Sequence, residues 1–215
     1  MSELPVFWSF RRCPYAMRAR LAIAASGENV ELREIMLRFK PEAFRAVSAK
    51  ATVPVLELGS GQVIDQSRDI MFWALQRNDP QNWLDIWYRD PNEVNRFIDR
   101  LDGSFKHNLD RYKYASRYNA DQALTHRFAG AEFLSELDFQ LEQESFLSGK
   151  DAGILDFASL PFVRQFRIAD PDWFDQQHWP YMHKWLSAFL TSRTFAEVMI
   201  KYTPWQEGAE PVFFP

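Results

Sequence analysis

One stretch of the chain decides its fold, and it runs Ser9-Phe10-Arg11-Arg12-Cys13-Pro14-Tyr15-Ala16-Met17-Arg18. The apolar residues 4–8 before this stretch predict a strand. After it, apolar side chains recur at helical spacing from Met17 until Gly27 ends the pattern, which predicts a helix. The stretch is therefore a strand-to-helix turn, with Cys13 at the helix N-cap and Pro14 at the first helical position, where proline fits well.

Cys13 is the only cysteine of the chain, and its predicted position favours chemistry. The free N–H groups and partial positive charge of a helix start stabilise a thiolate, as do the nearby guanidinium groups of Arg11, Arg12 and Arg18. The turn resembles the active-site turn of glutaredoxins and other thioredoxin-fold proteins, but Ala16 stands where dithiol enzymes have a second cysteine. Any disulfide formed on Cys13 must therefore be resolved by an outside thiol. The alternative is a small buried side chain without a chemical role.

Length, charge and composition limit the classes of protein to which the chain can belong. A chain of 215 residues can form one large domain or two small ones. The formal net charge of −4, with dispersed Lys and Arg, argues against nucleic acid as a partner, because its readers carry a basic patch. Met1–Pro5 lacks the features of a signal peptide, and no segment approaches the roughly 18 to 20 apolar residues of a transmembrane helix. We therefore expect a soluble cytoplasmic protein with no membrane partner.

The histidines and the cysteine of the chain do not have the spacing of a metal site. The four histidines show neither an HExxH motif nor paired ligand spacing. A single cysteine cannot build a structural zinc site. We therefore expect no metal.

The first 78 residues alternate between predicted strands and helices. After the strand and helix around Cys13 come a strand over 30–37, a helix opened by Pro41-Glu42, strands over 53–58 and 62–65, and a helix capped by Ser67. A βαβ unit followed by a hairpin and a helix makes a small mixed sheet covered by helices. We therefore predict an α/β thioredoxin-like domain over residues 1–78.

The rest of the chain has the pattern of an all-α domain. Residues 79–90 are rich in turn formers and predict a linker. Apolar side chains then keep a spacing of three and four over 94–112 and again over 124–141, which predicts two long helices with core-facing stripes. A third helix is predicted near Gly153, with Asp156 accepting first-turn N–H groups. We thus predict an all-helical domain over residues 91–215.

This combination of domains resembles the glutathione transferase superfamily over nearly the whole chain. The first supporting motif is Cys13-Pro14-Tyr15-Ala16 followed by Arg18 and Arg20, which is similar to the catalytic turn of the omega class. In that class, cysteine replaces the tyrosine or serine of most other members. The resemblance therefore implies that Cys13 is the catalytic residue and glutathione the co-substrate.

Two further motifs resemble glutathione-binding segments of the superfamily. Thr52-Val53-Pro54-Val55-Leu56 is similar to a strand start whose cis proline lets the preceding residue pair with the cysteinyl unit of glutathione, which implies roles for Val53 and Pro54. Asp65-Gln66-Ser67-Arg68 lies where the family binds the γ-glutamyl unit, so that Ser67 would take the carboxylate and Gln66 would orient the amino group. Each motif also has a purely structural explanation, as a trans proline at a strand edge or as a helix cap.

Two more residues complete the site that the resemblance implies. Lys40, just before the helix opened by Pro41, matches the omega-like lysine that contacts the glycyl carboxylate. Tyr15 would line the bound peptide. A surface lysine before a helix is also common without any ligand.

We predict a glutathione-dependent thiol transferase or reductase that acts through a Cys13–glutathione mixed disulfide, as in deglutathionylation or dehydroascorbate-type reduction. Two alternatives stay open. One is conjugation of glutathione to electrophiles, assisted by the hydroxyl of Ser9, and the other is a non-enzymatic binding or regulatory protein on the same fold. The resemblance implies glutathione, a small or glutathionylated substrate and a second copy of the chain, in a homodimer, as partners.

Overall fold

In the computed structural model, which describes residues 4–215, contacts divide the chain into two units. The first unit consists of two segments, the residues up to Gln81 and Ser192–Pro215. The second unit is Asn82–Thr191. The expectation that Met1–Pro5 is not a signal peptide falls mostly on residues 1–3, which lie outside the described residues.

The helices and strands follow one another in the order β1 (Val6–Ser9), α1 (Pro14–Ser26), β2 (Val30–Glu34), α2 (Glu42–Val47), β3 (Val55–Glu57), β4 (Val63–Ile64), α3 (Ser67–Arg77), α4 (Asp85–Arg89), α5 (Pro91–Arg100), α6 (Lys106–Lys113), α7 (Ala123–Gln143), α8 (Ile154–Ala169), α9 (Pro171–Asp175), α10 (Pro180–Leu190), α11 (Arg193–Val198) and β5 (Phe213–Phe214). A π-helical segment over Leu101–Phe105 joins α5 to α6, and 3₁₀ turns occupy Ala115–Arg117 and Ala120–Gln122. Within residues 4–215, no helix is long and apolar enough to span a bilayer.

The first unit is built on a five-stranded mixed sheet of order β4-β3-β1-β2-β5. Strands β1 and β2 run parallel, as a βαβ unit requires, and the other neighbouring strands are antiparallel. In this register Phe7 lies opposite Leu32 on one side and Leu56 on the other, and all three side chains are buried. The thioredoxin-like prediction is confirmed for the first four strands, and β5 is an addition that the sequence did not predict.

Helix α1 begins and ends where the sequence predicts. Cys13 is its N-cap, in extended backbone with φ −78° and ψ 125°, and Pro14 is its first residue. Gly27 ends the helix in the left-handed region at φ 71°, and its N–H donates to the carbonyl oxygens of Ile23 and Ala24. The residues at both ends therefore fix the helix that carries Cys13.

Residues 192–215 pack with the first unit and not with the helices to which the sequence assigned them. Phe214 is 2% exposed and pairs with Val30 in the antiparallel ladder between β5 and β2. The N–H of Trp205 donates to the carbonyl of Glu34 at 2.7 Å. Apolar side chains and backbone hydrogen bonds thus hold the end of the chain on the sheet, and the division differs from the predicted domain boundary.

The predicted linker over 79–90 is partly folded into the second unit. Trp83 is buried, and its ring stacks on Phe157 with centroids 3.7 Å apart. Its carbonyl accepts the N–H of Ile154, the first residue of α8, at 3.0 Å. Helix α4 follows directly, so the boundary between the units lies at Gln81, inside the predicted linker.

The two stripes predicted in the second unit become helices, but one of them is only half buried. On α7, Leu134, Leu137 and Leu141 are buried as expected. Leu124 and Phe128, in the first and second turns of the same helix, are exposed. The apolar spacing is therefore longer than the face that the core covers.

Asp156 is fully buried and holds the start of α8, as its predicted role requires. Its carboxylate accepts four hydrogen bonds of 2.9 to 3.1 Å, from the backbone N–H groups of Leu147, Ser148 and Gly153 and from the indole Nε1 of Trp185. Gly153 has no side chain to complete a capping box. The Ser148 hydroxyl instead accepts an N–H of the first turn.

Candidate active site

The turn before α1 brings Cys13 against the loop before β3. Its Sγ lies 3.7 Å from the carbonyl oxygen of Val53, within reach of a weak S–H···O hydrogen bond. The Val53-Pro54 peptide bond is cis, as the resemblance implies. Both of these residues are buried, whereas Cys13 is partly exposed. The centre of the candidate site is therefore an accessible thiol at a helix start, beside a backbone carbonyl.

The Cys13 side chain packs against an apolar cluster. Cys13 and Trp205 both pack against a buried group that consists of Trp8, Ile35, Phe44, Val53 and Val55. Because such side chains interdigitate closely, the backbone on which Cys13 lies has little freedom to shift.

Hydrogen bonds of the backbone fix the turn over residues 10–13. The N–H of Cys13 donates to the carbonyl of Phe10 at 2.9 Å, and the carbonyl of Cys13 accepts the N–H of Met17 at 2.9 Å. The N–H of Arg11, inside the turn, donates to Oε1 of Glu34 at 2.7 Å. The cysteine is thus held by a turn on one side and by the first helical hydrogen bond on the other.

Arg18 links the helix of Cys13 to the start of α3. Its side chain is buried, and its Nε donates to the hydroxyl oxygen of Ser67 at 3.0 Å. Its guanidinium carbon lies 5.1 Å from the centre of the Tyr15 ring. Three of the residues that the sequence singled out therefore form one connected group.

The other two arginines of the turn point to different surroundings. The Nη1 of Arg11 donates to the carbonyl of Met199, just after α11, at 2.9 Å. Arg12 is exposed, with its guanidinium carbon 5.3 Å from the centre of the Phe10 ring. The side chain of Arg11 therefore connects the turn to the residue that follows α11.

The start of α3 corrects the predicted N-cap by one residue. Gln66 is the N-cap, without a side-chain hydrogen bond to the helix, and Ser67 is the first helical residue. The Ser67 oxygen accepts from Arg18 instead of capping the helix. Because a hydroxyl that accepts one hydrogen bond still has a proton to donate, Ser67 can donate to a group at this helix start.

The remaining predicted residues lie toward solvent. Gln66 is exposed, and its Nε2 is 3.5 Å from Oδ1 of Asp65. Lys40 is partly exposed and forms no ion pair with an acidic residue of the described chain. No group of three or more His, Cys, Asp or Glu side chains within 4–215 is arranged to hold a metal ion.

A buried charge pair lies beside the turn; the sequence pointed to Arg20 as part of the motif after Cys13, but it did not single out its partner Glu34. Arg20 of α1 forms an ion pair with Glu34 at the end of β2, and its Nε donates to the Ser9 hydroxyl at 2.9 Å. Burial lowers the pKa of Arg20, and the Glu34 carboxylate beside it opposes that shift. The alternation Val30-x-Leu32-x-Glu34 was the available signal, because it places the Glu34 carboxylate on the buried face of its strand.

Known families match the first unit of the chain. Residues 7–83 match the model described as the N-terminal domain of glutathione S-transferase. A probable glutathione transferase from Aplysia californica is 42% identical over 55 residues, which cover 26% of this chain and 60% of that protein. Glutathione S-transferase omega-1 from Sus scrofa is 40% identical over 60 residues, which cover 28% of this chain and 25% of that protein. The chain thus matches less than two thirds of the length of either relative.

Solved structures match nearly the whole chain. A glutathione transferase family member from Pseudomonas fluorescens pf-5, with two glutathione bound, aligns with a TM-score of 0.76 and 14% identity, covering 93% of each chain. At this identity the likeness shows the fold alone. The chain therefore has the glutathione transferase fold, with a thioredoxin-like unit and a helical unit.

Proposed function

We propose that this protein is a glutathione transferase of the cysteine type, with thiol transferase or reductase activity through Cys13. One observation carries the proposal: the only thiol of the chain is partly exposed at the N-cap of α1, with its Sγ 3.7 Å from the Val53 carbonyl. The family match over residues 7–83 and the short match to a relative named omega-1 support this choice.

The reaction has two thiol–disulfide exchanges. The Cys13 thiolate attacks the glutathione sulfur of a mixed disulfide between glutathione and a substrate. The substrate sulfur leaves as a thiolate and takes a proton from solvent, while Cys13 and glutathione form a disulfide. A second glutathione thiolate then attacks the glutathione sulfur of this adduct, which releases oxidised glutathione and the Cys13 thiolate. The N–H groups at the start of α1 stabilise the thiolate that attacks first and leaves last.

The residues around Cys13 offer complementary groups for an extended peptide. Val53, before the cis bond to Pro54, would pair its backbone with the cysteinyl unit and keep the sulfur of glutathione near Cys13. At the start of α3, Ser67 would donate its hydroxyl proton to the γ-glutamyl carboxylate, beside the buried charge of Arg18.

Three other residues would complete the binding site at its more exposed parts. Gln66 would orient the α-amino group, Lys40 would attract the glycyl carboxylate, and Tyr15 would line the peptide next to Arg18. Their exposure predicts smaller individual effects on affinity than that of the buried Ser67, since solvent screens charges and competes for hydrogen bonds.

The conjugation alternative required a hydroxyl from Ser9, and the surroundings of this residue disfavour it. Ser9 is fully buried, and its oxygen accepts the Nε of Arg20. A side chain held in this way serves the turn and has no access to an incoming thiol. Conjugation assays of Ser9→Ala and Cys13→Ala with an aromatic electrophile separate the two mechanisms.

The test of the proposed function is the glutathione-dependent reduction of a glutathionylated peptide. Wild-type protein is expected to turn over, whereas Cys13→Ala is expected to bind glutathione by calorimetry and to have no turnover. Full turnover by Cys13→Ala would contradict the mechanism, and absence of glutathione binding by the wild type would favour a non-enzymatic protein. A small or glutathionylated second substrate, a homodimer and a cytoplasmic location complete the proposal, and sedimentation of the protein tests the dimer.

A further inference from the structure

Glu34 connects the strand β2 to the turn that carries Cys13. The residue is 8% exposed, and its side chain lies on the buried face of the strand. Oε1 accepts the backbone N–H of Arg11 at 2.7 Å, and Oε2 pairs with the guanidinium of Arg20. A buried carboxylate that uses both oxygens in this way forms strong, direction-specific hydrogen bonds.

The same ion pair also holds the residue before the turn. Arg20 donates its Nε to the Ser9 hydroxyl, and the Ser9 carbonyl accepts the N–H of Ile35 at 2.8 Å. Ser9 lies just before the turn over 10–13, and Arg11 is the second residue of that turn. The turn over 10–13 is therefore attached at two points to one buried charge pair.

The end of α11 is also hydrogen-bonded to this network. Arg20 donates its Nη1 to the carbonyl of Val198 at 3.1 Å, and Arg11 donates its own Nη1 to that of Met199 at 2.9 Å. These carbonyls lie at the end of α11, where the last acceptors of a helix lack partners within it. The network thus joins β2, α1, the turn and α11.

We propose that Glu34 is a positioning residue for Cys13, which acts through the N–H of Arg11 and through Arg20 to fix the turn from which the thiol enters α1. This proposal rests on the proposed function only in taking Cys13 as the reacting group. Because the turn holds the thiol at the start of α1, where free N–H groups stabilise the thiolate, the attachment of the turn matters for how much of Cys13 is ionised and reactive.

The charge of Glu34 cannot explain a favourable effect on the thiol. A carboxylate near a thiol opposes formation of the thiolate, and removing it favours the thiolate. The other charged groups near the turn include the guanidinium groups of four arginines, Arg11, Arg12, Arg18 and Arg20. A positioning role and a charge effect therefore predict opposite changes when Glu34 loses its charge, which makes the proposal testable.

The first test compares Arg11→Pro with Arg11→Ala in the full chain. Both variants lose the same guanidinium, but only proline also loses the N–H that Glu34 accepts. Proline is favoured at the second residue of a β-turn, so it suits the backbone there. We expect alkylation of Cys13 by iodoacetamide at pH 7 to be about tenfold slower in Arg11→Pro than in Arg11→Ala, with the midpoint of its pH profile moved upward, because a displaced thiol loses part of the stabilisation that the helix start gives its thiolate. Overlapping profiles would overturn the proposal.

The second test compares Glu34→Gln with Glu31→Gln, and it decides the matter if Arg11→Pro does not fold. Glu31 lies on the same strand and pairs with Arg33 at 2.6 Å, away from the turn. We expect slower alkylation at pH 7 in Glu34→Gln and a wild-type profile in Glu31→Gln. Faster alkylation in Glu34→Gln would show that only its charge acts on Cys13. Because iodoacetamide needs neither glutathione nor a disulfide substrate, these results stand even if the proposed transferase activity fails.

Discussion

At the scale of single residues, the carboxylate of Asp156 accepts four hydrogen bonds within the second unit. Replacing Asp156 with Ala leaves four buried N–H donors without an acceptor. We expect the free energy of unfolding to fall by about 3 kcal/mol or more, as urea titration would measure. Asp151→Ala is the matched control, since Asp151 is exposed in the same loop, and a loss as small as that of the control would contradict this role.

Ser67 offers a residue-scale test of the glutathione site. Ser67→Ala removes the hydroxyl proton proposed for the γ-glutamyl carboxylate and the acceptor of the Arg18 Nε. We expect glutathione to bind about tenfold more weakly by calorimetry, which corresponds to about 1.4 kcal/mol. Ser60→Ala, in the exposed turn between β3 and β4, should bind glutathione as the wild type does. Equal affinities of the two variants would remove Ser67 from the site.

The position of Cys13 at a helix N-cap could be predicted, because the strand, the proline and the helical spacing around it are local signals. The sequence did not identify Glu34, and it did not link Arg20 to that residue, because the pairing depends on a contact between α1 and β2, which are separate elements. The predicted N-cap of α3, Ser67, is one residue away from the observed N-cap, Gln66, for a similar reason. Ser67 is a good cap by propensity, but a buried arginine from another helix uses its oxygen.

At the scale of elements, the two residues of β5 differ sharply in burial. Phe214 is 2% exposed, whereas its neighbour Phe213 is 58% exposed. We expect Phe214→Ala to lower the free energy of unfolding by about 3 kcal/mol, since it leaves a cavity in the core. Phe213→Ala should change it by at most about 0.5 kcal/mol. Similar losses in the two variants, measured by urea titration, would contradict the burial of Phe214.

Elements with long periodic patterns were predicted well, and short ones were not. The stripes over 94–112 and 124–141 gave helices, since several turns of spacing make a strong signal. The two residues of β5 and the five of α4 are too short for any period. Leu124 and Phe128 show the opposite case, because the apolar pattern of α7 begins before the part of the helix that the described residues bury.

At the scale of the whole molecule, the order of elements was sufficient to predict both classes of unit. The division of the chain was harder to predict, because residues 192–215 return to the first unit. Sequence neighbours of helices look like part of a helical domain, whereas their membership depends on contacts such as that between Trp205 and Trp8, with ring centres 5.1 Å apart. The same return connects α11 to the turn of Cys13.

The most direct test of the central claim is the intact mass of the folded protein after incubation with oxidised glutathione, before and after reduced glutathione is added. We predict one glutathionyl adduct on the wild type, removed by reduced glutathione and absent in Cys13→Ala, because Cys13 is the only thiol of the chain. Circular dichroism confirms that both proteins are folded. A folded wild type that forms no adduct would contradict the claim that Cys13 is a reactive thiol beside a glutathione site.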